Sequence, residues 1–215
     1  MNKNKQFVIT INRELGSGGR TVGRKLAERL GVKYYDKAIV EGLKEKYGLT
    51  TEEIEHLKTQ KKSWRDEFNA YYKKLLNSIA PGEFKPVPTT AAMFETERRI
   101  LQDLAAQESC VVAGRSGFLV FREWKNHLSV FIQASMQKRI ERLHHKRGLR
   151  LEDAIDIIDE VDAGRETYLQ NYADKSRYDT HNYDIVISMD ELSEDDATDI
   201  IMEFINRSTK NSAQE

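Results

Sequence analysis

The sequence contains one cysteine, three prolines and no long apolar run. With Cys110 alone, no disulfide can form within the chain, and its place in the apolar run 110–113 favours a buried small hydrophobe over a reactive thiol. No segment has the apolar length that crosses a bilayer, and residues 1–6 lack the apolar core of a signal peptide. We therefore expect a cytoplasmic protein with no membrane partner.

The sequence also lacks an excess of charge of either sign. It has 34 Lys and Arg against 35 Asp and Glu, a formal net charge of −1. Because no global field attracts such a chain to nucleic acid, we expect no nucleic-acid partner, and any anion site must be local. With 215 residues, 39% hydrophobic and 32% charged, the chain has the composition of one main folded domain.

Short apolar runs alternate with helical patterns along the chain. Strands are predicted at 7–11, 32–35, 110–113, 128–132 and 183–187, and helices follow them at 21–30, 135–147, 151–173 and 193–206. This order favours a three-layer α/β fold, a parallel sheet flanked by helices. We predict one domain over residues 1–207, a helical insertion at 37–107 whose three prolines lie between 81 and 88, a second helical region at 147–180, and a frayed tail at 208–215.

A glycine-rich segment, Gly16-Ser17-Gly18-Gly19-Arg20-Thr21, lies between the first strand and the first helix. Glycines let successive N–H groups point to one place, and a helix N-terminus adds partial positive charge, so the segment is predicted to hold a phosphate. A flexible turn without a ligand is the alternative. The Walker pattern is not met, because Arg13 stands where its first glycine belongs and Gly19 stands where its lysine belongs. Arg13 or Arg20 would then supply the positive charge.

Basic residues recur further along the chain. One helix and its end carry Arg139, Arg142, Lys146, Arg147 and Arg150, which form either a solvated basic face or part of a phosphate site. Arg165 continues the apolar stripe of the next helix, so its guanidinium group stands where packing would favour an apolar side chain. It is either an arginine that extends to solvent at the helix edge or one that meets an anion.

Several segments together resemble the cytidylate kinase-like family. They are Ile-Asn-Arg-Glu-Leu-Gly-Ser-Gly-Gly-Arg at 11–20, Leu-Gly-Val-Lys-Tyr-Tyr-Asp at 30–36, Val-Val-Ala-Gly-Arg at 111–115, Leu-Ser-Val-Phe-Ile-Gln-Ala at 128–134, Arg-Ile-Glu-Arg at 139–142 and Asn-Tyr-Asp-Ile-Val-Ile at 182–187. The resemblance covers about residues 6–206 and matches least at 60–95. It implies a P-loop kinase-like fold in which 37–107 is the acceptor-side insertion and 147–180 is a lid.

The resemblance also implies an activity, the transfer of the terminal phosphate of ATP, with Mg²⁺, to CMP or dCMP. Residues 16–21 with Arg13 would hold the ATP phosphates, and Thr21 would approach the magnesium ion. Arg20, Arg142 and Arg165 would act on the transferred phosphate. The residues implied to face the acceptor are Asp36, Arg115, Lys175 and Arg177.

The absent Walker lysine and a departure from a family motif keep other functions open. Cytidylate kinases carry an Asp-Gly-Arg-Asp stretch, whereas this chain has Ala113-Gly114-Arg115-Ser116, without either acid. A kinase for another small metabolite, or a catalytically weak nucleotide-binding regulatory module, is therefore an alternative. The aromatic residues at 64–72 form either a helix-packing stripe or a base-stacking platform, and a surface between copies of the chain in a homo-oligomer is a further alternative.

Overall fold

The computed structural model describes residues 1–36, 98, 101–102, 104–114, 116–173 and 175–211. Most of the predicted insertion at 37–107, with its prolines and its aromatic residues 64–72, lies outside the described residues. Arg115 lies outside them as well. The predictions for those positions therefore stay predictions.

The described elements alternate as the sequence predicts. In chain order they are β1 (Val8–Arg13), α1 (Gly19–Leu30), β2 (Lys33–Tyr35), β3 (Cys110–Ala113), α2 (Gly117–Val120), β4 (His127–Gln133), α3 (Met136–Arg147), α4 (Leu151–Ala173), a 3-10 turn (Thr180–Asn182), β5 (Ile185–Ser188) and α5 (Glu194–Asn211). The five strands form one sheet in the order β2-β3-β1-β4-β5, and every neighbouring pair is parallel. The predicted α/β fold is confirmed.

Side chains of the central strand β1 point alternately to the two faces of the sheet. Ile9 and Ile11 pack in a core beneath α1 and α5, whereas Val8 packs in a second core on the opposite face. The second core also contains Cys110, which is fully buried, and burial raises the pKa of its thiol to about 12. Cys110 is thus the buried small hydrophobe that the sequence predicts.

Helix α1 ends where its sequence predicts and begins earlier. Gly31 adopts a left-handed conformation (φ 65°) and its N–H group bonds to the carbonyls of Ala27 and Glu28, a common way to end a helix. The first helical residue is Gly19 rather than Thr21. The glycine segment therefore runs directly into the first helical turn.

Helices α3 and α4 pack on each other around a third, smaller core that includes Leu15, next to the glycine segment. The apolar stripe predicted on α4 includes Leu151, Ile158 and Val161. Ile158 and Val161 are buried, as predicted, but Leu151 is 57% exposed. Arg165 still lies on the inner side of α4 with only 17% of its side chain exposed.

The last helix, α5, extends to Asn211, so the predicted frayed tail from residue 208 is wrong for 208–211. Thr209 is buried, and its hydroxyl accepts a hydrogen bond from the N–H of Lys3 at 3.1 Å. This contact to the N-terminus holds the last turn in place. None of the helices in the described part of the chain is long and apolar enough to cross a membrane.

Candidate phosphate-binding site

The glycine segment lies at the edge of the sheet where the strands end. β1 ends at Arg13, the loop 14–18 follows, and α1 begins at Gly19. Because all strands are parallel, the carboxyl ends of β2, β3, β4 and β5 lie along the same edge. This edge is where open parallel sheets bind their ligands.

Two glycines in the loop have backbone conformations that other residues rarely adopt. Gly16 has φ 83° and Gly18 has φ 88°. The space beside each is also filled: a Cβ on Gly16 would lie 2.8 Å from the carbonyl oxygen of Arg139, and one on Gly18 would lie 2.8 Å from a guanidinium nitrogen of Arg142. Both positions therefore require glycine, and α3 packs directly against the loop.

The N–H groups of the loop are only partly used by the protein. Thr21 N–H donates to the Gly18 carbonyl at 2.9 Å, and Ser17 N–H donates to the Glu14 carbonyl at 3.4 Å. Within the described residues, the N–H groups of Gly16 and Gly18 have no hydrogen-bond acceptor. Unsatisfied donors at a helix N-terminus form an anion site, so the loop is suited to a phosphate.

Packing around Gly19 explains why no lysine stands there. A Cβ on Gly19 would lie 2.7 Å from the Cβ of Arg13 and 3.0 Å from the Cβ of Ile132. A side chain at position 19 would therefore not fit between Arg13 of β1 and Ile132 of β4 unless the backbone shifted. The positive charge near the loop must therefore come from other residues.

Arginine side chains bond to the carbonyl groups on the other side of the loop. Arg139 Nε donates to the Leu15 carbonyl at 2.7 Å, and Arg142 donates to the Gly16 carbonyl at 3.3 Å. The carbonyl of Arg13 accepts from both Arg165, at 3.1 Å, and Arg177. These contacts hold the carbonyls on one side of the loop.

Asp162 on α4 joins three of these arginines. Its carboxylate accepts from Arg165 at 2.9 Å, from Arg177 at 3.1 Å and from Arg139. It also accepts from the Leu15 N–H at 3.2 Å. With Glu14, which lies 3.5 Å from Arg139, these residues form what we call the carbonyl-side cluster: Glu14, Arg139, Asp162, Arg165 and Arg177.

Arg177 is the most deeply buried member of the carbonyl-side cluster, with none of its side chain exposed. Its guanidinium group lies 5.8 Å from the ring centre of Phe131 and 5.2 Å from that of Tyr178, distances at which cation–π attraction operates. The hydroxyl of Tyr183 donates to the Arg177 carbonyl at 2.7 Å, and burial raises the pKa of Tyr183. Arg177 is thus fixed from several sides.

A second group of charges lies beside β2. Asp36 accepts from Arg20 Nε at 2.9 Å and lies 3.7 Å from Arg24. We call Arg20, Arg24 and Asp36 the β2-side group. The two arginine side chains are 40% and 57% exposed, whereas the Asp36 side chain is only 11% exposed. Burial raises the pKa of the neighbouring Tyr34, and nearby arginines oppose that shift.

Arg13 extends from the loop toward this second group. Its Cβ lies beside Gly19, and its guanidinium group lies against Gly114, where β3 ends. Gly114 has φ 82° and the arginine occupies the space that a side chain there would need. Arg13 therefore lies between the loop and the end of β3.

Two further predicted site residues, Thr21 and Lys175, lie in the described part of the chain. Thr21 is in the first turn of α1, the position from which a hydroxyl could meet a magnesium ion held by phosphates. Lys175 is partly buried after the end of α4. The pKa of Asp179 is lowered mainly by hydrogen bonds from His181, and Lys175 adds a smaller contribution. Among the described residues, no group of three His, Cys, Asp or Glu residues could hold a metal ion by itself.

Sequence reasoning missed Asp162, Glu14 and the buried state of Arg139. The one available signal was the spacing of Asp162 and Arg165, since residues three apart are neighbours on a helix. The sequence left Arg139 either on a solvated basic face or in a phosphate site, because it does not show that Leu15 accepts its hydrogen bond from 124 residues away.

The cytidylate kinase-like family matches residues 8–191 of the chain, far more than half of its length. The chain belongs to this family. The resemblance stated from the motifs is therefore confirmed.

A shikimate kinase of Actinobacillus succinogenes is 24% identical over 169 residues, 74% of this chain and 78% of that protein. The crystal structure of an uncharacterized protein from Eubacterium ventriosum superposes with a TM-score of 0.67 at 26% identity, over 94% of this chain and 99% of that one. A gluconokinase from Sinorhizobium meliloti superposes with a TM-score of 0.55 at 15% identity, over 97% and 96%. These likenesses confirm the P-loop kinase fold.

Proposed function

We propose that this member of the cytidylate kinase-like family is a phosphotransferase that transfers the γ-phosphate of ATP to CMP or dCMP. The proposal rests on one observation: the N–H groups of Gly16 and Gly18 have no acceptor among the described residues, at the N-terminus of α1. Such a loop holds phosphate through backbone N–H groups without a dedicated side chain.

In this proposal the loop 16–21 binds the ATP phosphates and Arg20 and Arg142 flank it. Arg142 lies over Gly18, within reach of Glu194 at 3.8 Å, and Arg20 lies at the start of α1 between the loop and Asp36. Arginine can hold two phosphate oxygens at once, which suits both positions. Arg20 would thereby connect the donor and acceptor sides.

Magnesium would enter with ATP. Mg²⁺ keeps several water ligands and binds mainly through the phosphates, so one protein hydroxyl, that of Thr21, is compatible with its coordination. When bound, the ion neutralises charge on the phosphates that are transferred. The protein's own part is to align the two substrates and to neutralise charge with arginines.

The β2-side group supports an anionic acceptor. The side chains of Arg20 and Arg24 are 40% and 57% exposed, and the guanidinium group of Arg13 lies nearby at Gly114. Exposed guanidinium groups are suited to the phosphate of a nucleoside monophosphate. Arg115, Lys175 and Arg177 are proposed as further acceptor ligands, although Arg177 would first have to leave its buried partners.

We further propose that residues 147–180 act as a lid that closes over the phosphates. The helix α4 carries Arg165 on its inner side, where it donates to Asp162 and to the Arg13 carbonyl. On closure Arg165 would exchange these partners for the transferring phosphate. The insertion at 37–107 is proposed to cover the acceptor.

A second candidate is a kinase for a small carboxylated metabolite. It is favoured by the likeness to the shikimate kinase of Actinobacillus succinogenes over 74% of the chain. The arginines of the β2-side group would bind a carboxylate as well as a phosphate. A weak nucleotide-binding module is the third candidate, favoured by Gly19 at the lysine position.

One assay separates the three candidates. ADP release is measured with ATP and Mg²⁺ against CMP, dCMP, the other nucleoside monophosphates, cytidine, shikimate and gluconate. Turnover with CMP or dCMP that is lost with cytidine supports the proposal. Turnover with shikimate or gluconate alone supports the second candidate, and ATP binding without turnover of any acceptor supports the third.

A further inference from the structure

The turn that follows β3 contains the single residue other than glycine that takes a positive φ in the described part of the chain. Ser116 has φ 52° and ψ 30°, a left-handed conformation that is strained for a residue with a side chain. The turn is closed by a hydrogen bond from the Gly117 N–H to the Gly114 carbonyl, at 3.0 Å. Strained residues of this kind cluster at ligand-binding sites.

Packing explains the glycines of this turn but not its serine. A Cβ on Gly117 would lie 2.8 Å from the Cγ2 of Thr10, and a Cβ on Gly114 would overlap the guanidinium group of Arg13. At position 116 the backbone conformation favours glycine, yet a side chain is present. The side chain therefore needs an explanation other than the shape of the turn.

The hydroxyl of Ser116 is not used by the protein. Ser116 is only 8% exposed, and within the described residues its hydroxyl has no hydrogen-bond partner. Its backbone carbonyl, by contrast, accepts from the N–H groups of Leu119 and Val120 at 2.8 and 3.1 Å, which fixes the residue at the start of α2. A fixed and mostly buried hydroxyl without a partner is suited to bond to a ligand.

The turn also lies between the two groups of residues proposed to hold the two substrates. β3 lies between β1 and β2 in the sheet, so its carboxyl end is flanked by the phosphate loop after β1 and by Asp36 after β2. The guanidinium group of Arg13 reaches the same turn at Gly114. A hydroxyl and a guanidinium group can both donate to one oxyanion.

We infer that Ser116 is a substrate-binding residue whose hydroxyl donates a hydrogen bond to an oxyanion of the phosphate acceptor, beside the guanidinium group of Arg13. The inference rests on the proposed function in that it assigns the phosphate acceptor to this edge of the sheet. The oxyanion is either the phosphate of a nucleoside monophosphate or the carboxylate of a small metabolite.

The test compares four side chains at position 116 by calorimetric titration of the full chain with CMP, cytidine, shikimate and ATP. Ser116→Gly removes the hydroxyl and should weaken binding of CMP or shikimate, whichever the wild type binds, by at least about tenfold. Ser116→Asn retains a donor and tolerates the left-handed conformation, so its affinity should stay within about threefold of wild type. Ser116→Asp has the same size as Ser116→Asn but replaces the donor with a negative charge, and should bind at least about tenfold more weakly than Ser116→Gly.

Thermal unfolding separates binding of a ligand from a purely structural role. Ser116→Gly relieves the left-handed strain, so its unfolding midpoint should rise by about 2 °C while binding of the phosphate acceptor falls. A side chain that served only packing would give a lower midpoint on removal.

Gly31 provides a matched control. It has φ 65° and ψ 31° with open space around it, and it follows the last turn of α1, about 18 Å along the helix from the phosphate loop. Gly31→Ser should lower the unfolding midpoint by about 2 °C, the reverse of Ser116→Gly. Gly31→Ser and Gly31→Asp should both leave the affinity for the phosphate acceptor within a factor of two of wild type.

Weaker binding of the phosphate acceptor by Ser116→Gly with unchanged ATP affinity, and a gap of tenfold or more between Ser116→Asn and Ser116→Asp, support the inference. Wild-type affinity in Ser116→Gly overturns it, as does an equal loss of ATP affinity or equal binding by Ser116→Asn and Ser116→Asp. Wild type that binds neither CMP nor shikimate more tightly than cytidine also overturns it, because no oxyanion is then recognised.

Failure of the proposed function is seen separately. If the wild type binds shikimate and not CMP, and Ser116→Gly loses shikimate, then CMP is rejected as the phosphate acceptor while the inference is supported. If the wild type releases ADP with CMP and Ser116→Gly has the same KM for CMP, the proposed function is supported and the inference is overturned.

Discussion

The carbonyl-side cluster and the β2-side group both pair arginines with an aspartate, but they differ in exposure. Arg139 and Arg177 are 7% and 0% exposed, whereas Arg20 and Arg24 are 40% and 57% exposed. The buried arginines donate to carbonyls of the loop and to carboxylates, although the Nε of Arg177 has no acceptor among the described residues. An exposed arginine exchanges its aspartate for a ligand at little cost, because exposed ion pairs are worth at most about 1 kcal/mol.

Arg165 tests this difference most strongly, since it is a cluster member that is proposed to move to the phosphate. Arg165→Ala is expected to lower kcat on the order of 10³-fold, as loss of a charge-neutralising arginine does. Stability should fall by only about 1–2 kcal/mol, since Asp162 keeps Arg139 and Arg177. The measurements are steady-state kinetics and thermal unfolding.

Arg165→Lys serves as the control for the charge of Arg165. It is expected to recover only part of kcat, because lysine cannot contact two oxygens in one plane. A large loss of stability with a proportionate loss of activity would instead make Arg165 a fixed member of the cluster, and the proposed lid movement would be wrong.

The contact between Arg139 and the loop is tested at Gly16. Gly16→Ala combines a positive φ with a Cβ placed 2.8 Å from the Arg139 carbonyl. We therefore expect the free energy of unfolding to fall by about 3 kcal/mol, and the variant to lose phosphate binding. Gly148 has φ 65° but open space around it. Gly148→Ala should cost only about 1 kcal/mol and leave binding intact; equal losses would show that α3 does not constrain the loop.

Arg115 is the residue proposed to bind the acceptor directly. In the sequence it follows the end of β3, and open parallel sheets bind their ligands at the carboxyl ends of their strands. Arg115→Ala is expected to raise the KM for CMP by about tenfold and the KM for ATP by less than about twofold, since a charged hydrogen bond is worth roughly 1.5–3 kcal/mol. The two KM values are measured with the other substrate saturating. An equal rise in both would count against an acceptor role.

Arg24 is expected to give the smallest effect. It is the most exposed arginine of the β2-side group, lies 3.7 Å from Asp36, and has its guanidinium group 5.7 Å from the ring centre of Tyr34. Arg24→Gln should raise the KM for CMP by roughly threefold and leave the unfolding midpoint unchanged. A clear fall in the midpoint would place Arg24 with the buried arginines rather than with the exposed ones.

The strands and the loop could be predicted from the sequence because their signals are local. The run 110–113 is buried as a strand, the two glycines 16 and 18 take the positive φ that a phosphate loop needs, and Gly31 ends α1. Each of these depends on neighbouring residues and backbone sterics. The family motifs then placed the elements in one fold.

The carbonyl-side cluster could not be predicted because its pairs are distant in the sequence. Leu15 and Asp162 are separated by 147 residues, and Arg13 and Arg177 by 164. The sequence does not show the partner of a charged side chain, so Arg139 was left either on a solvated basic face or in a phosphate site. The four-residue helix α2 was likewise too short to leave a periodic pattern.

The central place of β1 also bears on how the chain folds as it is synthesised. β1 pairs with β3 and β4, whose residues emerge from the ribosome about a hundred residues after its own. Contacts so far apart in sequence form slowly, because a long loop must close first. The glycine loop emerges early, yet its carbonyls find their arginines only after residue 177 has been added. Nascent chains that stop before that point should therefore bind phosphate poorly, and a ligand would stabilise only a nearly complete chain.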